Sequence, residues 1–209
     1  MNTTYPTVNR PVRPGNPRNY WRALCWVTPR IALCGDLPTD RTEALAQLAQ
    51  WEANGITHEV DVRVEANDAA FVEANSAITY VWHGVDDDGG RRDDSWFDAV
   101  VGEITAILAR DPEARIVVHC HLGVNRAPSI VYAALLALGW DDLDALRRIR
   151  DERPIAGIIY ATDAVRWHGR RNGHDAAEIA RRLGEVRAWF ERNRLDLGWV
   201  IRNIHRRMA

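Results

Sequence analysis

The spacing of apolar residues changes several times along the chain, and each change marks an element. Residues 1–18 hold four prolines (Pro6, Pro11, Pro14, Pro17) among Asn and Arg, which reads as an extended lead-in. The apolar run Ile31–Leu33 predicts a short strand. Asp40 then stands as helix N-cap before Ala44, Leu45, Leu48 and Trp51 at helical spacing, and Asn54-Gly55 ends that helix. β-type residues over Ile56–Val64 and Thr79–Trp82 predict two further strands, and the Asp-rich stretch Gly84–Asp94 is a loop. Ser95 is expected to cap a helix carrying Phe97, Val100, Val101, Ile104 and Leu108, broken at Asp111-Pro112. Arg115–His119 is a continuous apolar strand of the kind buried on both faces. Pro128 opens the apolar helix Ile130–Leu138, and Asp141 caps another with Leu143, Leu146 and Ile149. Residues 175–207 read as one long basic helix with Ile179, Leu183, Val186, Trp189 and Phe190 on one side, a face that must bury against the body or a second subunit. Strands alternating with helices imply an α/β fold, a central, mainly parallel sheet flanked by helices.

Composition narrows the class. The 209 residues are 46% apolar and 27% charged, as in a soluble globular domain with appendages. No apolar stretch is long enough to span a membrane, and the polar N-terminus does not resemble a secretory leader. Three cysteines (Cys25, Cys34, Cys120) are too few and too odd for a disulfide framework, so a reducing, cytoplasmic setting is expected. The net charge of -2 is unevenly spread. Residues 1–30 carry five Arg and no acid, residues 31–165 carry 24 acids against 11 Arg, and residues 166–209 carry 11 Arg against five acids. The basic ends either fold onto the acidic body or meet an anionic partner.

The chemistry concentrates in Val118-His119-Cys120-His121-Leu122-Gly123-Val124-Asn125-Arg126-Ala127-Pro128. A buried strand ends in Cys, a short loop containing Gly follows, and Arg stands where an apolar helix begins. Such a loop turns its backbone N–H groups inward and makes an anion nest at the helix N-terminus. Those N–H groups and the helix dipole should lower the pKa of Cys120 into the thiolate range. Arg126 can hold two phosphate oxygens in its planar fork, and Gly123 allows a close backbone approach. A thiolate beneath a held phosphate suits in-line attack to give a phosphocysteine, with an acid on a mobile loop protonating the leaving oxygen. Asp86, Asp87 and Asp88, with Gly89-Gly90 as hinge, supply such a loop. A metal site at His119-Cys120-His121 is not expected: neighbouring strand side chains face opposite ways, and no second Cys/His pair stands at ligand spacing. Cys34 reads as a packed strand-end residue, Cys25 carries no signal, and Asp61 with Arg63 reads as a structural ion pair or a support for the loop.

The His-Cys-x-x-Gly-x-x-Arg run resembles the signature loop of the cysteine-dependent protein phosphatases, specifically the small dual-specificity class. The similarity extends over residues 29–167 and includes Ile31–Asp36, Gly55–Arg63, Tyr80–Asp87 with Ser95-Trp96-Phe97, and Arg153-Pro154. It implies a protein-tyrosine-phosphatase-like fold, with residues 19–170 as the catalytic domain and 171–209 as a basic helical extension. It also implies Cys120 as nucleophile, Arg126 as phosphate clamp and Asp87 as general acid, with Asp86 and Asp88 as rivals. His119 would orient the loop, and His121, Leu122, Gly123, Val124 and Asn125 would bind phosphate mainly through their backbone. The family usually has Ser or Thr after the Arg, and its hydroxyl helps the thiolate leave. Here that position is Ala127, with Ser129 two residues on, so breakdown of the phosphocysteine is expected to be slow or differently assisted. The implied substrate is a phosphoprotein carrying phosphotyrosine and also phosphoserine or phosphothreonine, with no cofactor. An RNA 5′-triphosphatase of the same superfamily is the alternative, its nucleic acid tracked by the basic tail. A phosphoinositide ranks third, because His121, Leu122, Val124 and Asn125 bring no permanent cation. A phosphate-binding module without turnover ranks last.

Overall fold

In the computed structural model, residues 18–206 are described; all but the last residue of the Pro-rich lead-in lies outside them. The elements run α1 (Arg18–Trp21), β1 (Cys25–Thr28), β2 (Ile31–Cys34), α2 (Arg41–Ala53), β3 (His58–Arg63), α3 (Ala69–Asn75) and β4 (Thr79–Val85). They continue through α4 (Asp94–Arg110), β5 (Ile116–His119), α5 (Arg126–Ala137), α6 (Asp142–Glu152), α7 (Ala161–Arg171), α8 (Ala176–Arg192) and α9 (Leu197–His205). The strands order as β1-β2-β5-β3-β4; only β1 runs antiparallel to its neighbour. The expected mainly parallel sheet is therefore present, and β5 lies at its centre between β2 and β3.

That central place explains why Ile116–His119 carries no exposed residue. One apolar layer packs α4, α5 and α7 on the sheet around Phe97, Ile130, Leu135 and Trp167. A second layer sets α2 on the opposite face through Leu48, Trp51 and Val117. At the C-terminal ends of the parallel strands the chain leaves the sheet into loops, and there a strand-to-helix turn presents its amides. The turn from β5 into α5 is the Cys120–Asn125 loop.

Asp40 and Asp141 cap α2 and α6 as expected, accepting from Glu43 N and from Leu143 N and Asp144 N. Other boundaries differ. α4 begins at Asp94 after Asp93, not behind a Ser95 cap. α5 starts at Arg126, so Pro128 sits inside the first turn, where its missing N–H is harmless. Gly84 belongs to β4 rather than to the acidic loop, and β1 and α3 are additional elements.

The largest correction concerns the single helix expected over 175–207. The chain breaks at residues 193–196, where Asn193 leaves helical geometry and Asp196 caps a new helix by accepting from Trp199 N. Residues 207–209 lie outside the described residues. Leu183, Val186 and Trp189 of α8 bury in the main core, so the apolar face covers the body rather than a second subunit. Arg182 adds a buried two-pronged pair to Asp142 of α6, at 2.7 and 2.6 Å.

Candidate functional site

The Cys120–Arg126 loop folds around Gly123, whose φ of +60° is costly for any residue with a Cβ. A Cβ there would also strike the Cys34 carbonyl and the Arg153 guanidinium. Arg153 is fully buried and clamps the loop from outside. It donates to Gly123 O (2.6 Å) and Leu122 O (3.1 Å), and to the carbonyls of Tyr20 (2.6 Å) and Trp21 (2.9 Å). His121 is tied back as well: its carbonyl accepts from Asp36 N, and its Nδ1 lies 2.6 Å from Asp36 Oδ2.

Beneath the loop lies a buried polar network. His119 Nε2 is 2.7 Å from Glu59 Oε1 and 3.9 Å from Asp61 Oδ2. Asp61 receives two-pronged donation from Arg63 (2.8–3.1 Å) and the Tyr80 hydroxyl (2.7 Å), and Arg63 also pairs with Asp68. Burial disfavours charge on His119, yet Asp61 and Glu59 more than offset it and hold the imidazole above the ordinary histidine range. Burial likewise opposes an ionised Asp61, but His119 and Arg63 hold it below the usual carboxylate range.

Of the residues singled out in the sequence, Asp87, Cys120, His121, Leu122, Val124, Asn125 and Arg126 line a cavity of about 310 Å³, and His119, Gly123 and Ser129 do not. Asp86 and Asp88 do not line it; Asp88 pairs with Arg92, which also donates to Asp86 O at 3.0 Å. Asp87 Oδ1 accepts from Asn125 Nδ2 (2.6 Å) and from the Tyr160 hydroxyl (2.9 Å), while Oδ2 is 3.5 Å from Arg126 Nε. Burial and Asp87 push the Tyr160 hydroxyl up to about 12, so it remains a donor. Asn125 does more than offer backbone: its Oδ1 accepts from Ile159 N (2.8 Å) and from Ser129 Oγ (3.3 Å). Ile158, just before, has a φ of 54°, a strained value for a β-branched residue, and the turn it makes brings Ile159 to the cavity. The Ser129 hydroxyl points its proton at Asn125, and its oxygen accepts from Tyr160 N at 3.3 Å.

Arg126 is nearly buried and already gripped. Glu65 takes both of its terminal nitrogens, at 2.6 and 2.5 Å, and Val85 O accepts a further bond at 2.9 Å. This has a consequence for Cys120 that the loop alone does not suggest. The amides of Ala127 and Gly123 and the charge of Arg126 favour the thiolate, but burial outweighs them and Asp87 adds to it, so the thiol is pushed up rather than down. The expected low pKa is thus corrected: Arg126 is shared with two carboxylates, and the sulfur is buried.

Glu65, Tyr160 and Arg153 were not singled out as site residues. Glu65 lies 61 positions from its partner in no motif, and Tyr160 and Arg153 follow the loop by 25 residues or more. The cavity also has a wall from far beyond the loop, since Leu197, Ile201 and His205 of α9 line it. Among the described residues no cluster of His, Cys, Asp or Glu is arranged to hold a metal ion, and no helix is long and apolar enough to cross a membrane.

Comparisons with known proteins agree with this architecture. Residues 41–158 match the family model described as the dual specificity phosphatase catalytic domain. A 60-residue stretch is 38% identical to the PRL-1 phosphatase of Drosophila melanogaster, covering 29% of this chain and 32% of that protein. The crystal structure of Tk-PTP in its active form superposes with a TM-score of 0.59 at 15% identity, covering 72% of this chain and 99% of that one. Human DUSP28 gives 0.57 at 16% identity, covering 72% and 99%. PTPMT1 in complex with PI(5)P gives 0.57 at 14% identity, covering 70% and 95%.

Proposed function

The chain belongs to the dual specificity phosphatase family of cysteine-dependent phosphatases, and from that premise we propose that it hydrolyses phosphomonoesters on proteins through a phosphocysteine at Cys120. The observation that carries this reading is the convergence of Cys120, Arg126, Asn125 and Asp87 on the floor of one cavity.

In this reading the phosphate settles on the amides of the 121–126 loop, and the Arg126 fork takes two of its oxygens, competing with Glu65 for them. Cys120 passes its proton to an oxygen of the bound phosphate dianion, which leaves a thiolate beneath phosphorus and a monoanionic ester above it. The thiolate attacks phosphorus in line, so that the S–P bond forms as the ester P–O bond breaks. Asp87 gives its proton to the departing oxygen. Water then attacks phosphorus, Asp87 takes its proton back, and the S–P bond breaks to release phosphate and thiolate. His119 positions the loop from below, and Ser129 acts on it through Asn125. Residues 19–170 form the catalytic domain, and residues 171–209 are an extension that adds a wall to its cavity.

A phosphoprotein is favoured over RNA because part of the tail's charge is already engaged. Arg182 is buried against Asp142, Arg171 lies 2.7 Å from Asp98, and Arg181 pairs with Glu178 and Glu185. A cytoplasmic setting fits three cysteines that are all unpaired.

The test is phosphate release from an aryl phosphate over pH 5–8 for the wild type, Cys120→Ser, Arg126→Ala and Asp87→Ala. The reading requires loss of turnover in the Cys and Arg variants, and a fall of roughly 100-fold or more in Asp87→Ala with the alkaline limb of the profile altered. Bound vanadate without turnover by the wild type would instead make the chain a phosphate-binding module.

A further inference from the structure

Helix α9 has two apolar faces, and they do different work. Val200 and Ile204 are fully buried on Trp21, Val124 and Ile155, which anchors the helix beside the phosphate loop. Leu197, Ile201 and His205 fall four residues apart on a neighbouring stripe, which lines the cavity above Cys120. Leu197 is seated close to Gly157: a Cβ on that glycine would come within 2.9 Å of Leu197 Cδ2. Gly157 N in turn donates to Val124 O of the phosphate loop. Leu122, Val124 and Ile159 line the same cavity, and Leu197 packs with Leu122 and Val124 in the cluster that anchors the helix. The cavity therefore has a polar floor and apolar sides, and one side lies wholly beyond residue 158, where the family match ends.

We propose that Leu197 and Ile201 are specificity-determining residues, which close an apolar wall against the ring of an aryl phosphate and make the site prefer phosphotyrosine-type esters to alkyl phosphates. The inference rests on the assignment of the Cys120 cavity as the hydrolytic site. An aryl ester places a flat apolar ring between phosphate and peptide backbone, matching polar floor to phosphate and apolar sides to ring. A phosphoserine or phosphothreonine side chain has no such ring, so its backbone would have to descend between Ile159 and Ile201. His205, whose ring centroid is 6.5 Å from that of His121, stands at the rim.

The experiment compares kcat/KM for one peptide carrying phosphotyrosine with the same peptide carrying phosphothreonine, in the wild type, Ile201→Ala and Ile201→Leu. The readout is the ratio of the two values, because an aryl oxide is intrinsically the better leaving group and only the change between variants isolates the wall. Removing the Ile201 branches should lower the ratio by roughly 10-fold, and the volume-conserving Ile201→Leu should restore most of it. Leu197→Ala, one turn earlier on the same stripe, gives an independent reading should Ile201→Ala fail to fold. A ratio unchanged in the folded alanine variants overturns the proposal while leaving the hydrolytic assignment intact. A wild type that turns over neither peptide overturns that assignment, and this inference with it.

Discussion

Arg126 has two sets of partners to choose between. Its fork faces the position a phosphate must occupy, yet Glu65 already holds both terminal nitrogens. With that charge shared, burial keeps Cys120 largely in its thiol form near neutrality, since a raised pKa leaves the thiolate to more alkaline pH. Glu65→Gln is expected to weaken this competition, so iodoacetamide modification of Cys120 at pH 7 should accelerate several-fold and its pH profile should move to lower pH. An unchanged profile would show that burial alone sets the thiol. Ala127 poses the complementary case. It offers its amide to the sulfur but has no hydroxyl, and the Ser129 proton is directed at Asn125. Ala127→Ser should raise steady-state turnover by about 5-fold, the worth of one hydrogen bond of ~1 kcal/mol. The loop residues were legible because they are contiguous and each does something a neighbour cannot. Glu65 was not, because its role exists only once β3 and β5 lie side by side.

At the scale of elements, the loop is held between a charged layer below and a clamp outside. Asp61 of β3 holds Arg63 on its own strand and links to the Tyr80 hydroxyl of β4 and to His119 of β5. Asp61→Asn takes one carboxylate partner from each of Arg63, which keeps Asp68, and His119, which keeps Glu59, and should cost roughly 1–3 kcal/mol, measured by urea unfolding. Because the folded carboxyl is held below its unfolded value, its stabilisation is full above about pH 4 and is lost as pH falls further. The variant's stability should accordingly converge with wild type under acid. Arg153→Met would strand the carbonyls that bind Gly123 and Leu122 to Tyr20 and Trp21, and should lower stability by about 3 kcal/mol or more. The sheet was legible from its apolar runs, above all Ile116–His119. β1 was not, since Cys25–Thr28 is four residues of mixed burial whose strand character comes from pairing with β2. α3 was also missed, having only Val72 buried and no side-chain cap. The break between α8 and α9 lacks Pro or Gly, and Leu195 and Leu197 continue the apolar spacing across it.

Over the whole molecule, the uneven charge seen in the sequence becomes internal adhesion. The basic C-terminal segment lies along acidic positions of α4 and α6, and α8 completes the same core that supports the phosphate loop. Removing residues 172–209 should therefore expose that core and lower the thermal midpoint by several degrees or prevent folding. A truncated chain of unchanged stability and activity would mark the segment as a mere appendage. The lining of the cavity by α9 could not be read from sequence, because it depends on how a helix nearly 80 residues downstream is set against α1 and the loop. Everything in the account converges on Cys120 as the atom that takes the phosphoryl group, and with Ala127 beside it the second step should be the slow one. The most direct measurement is rapid-mixing turnover of a chromogenic aryl phosphate, with phosphate located on the quenched protein by mass spectrometry. The account predicts a burst approaching about one aryl alcohol per chain, phosphate on Cys120, and neither in Cys120→Ser. Linear release from the first turnover with no phosphorylated Cys120, and activity surviving in Cys120→Ser, would contradict it.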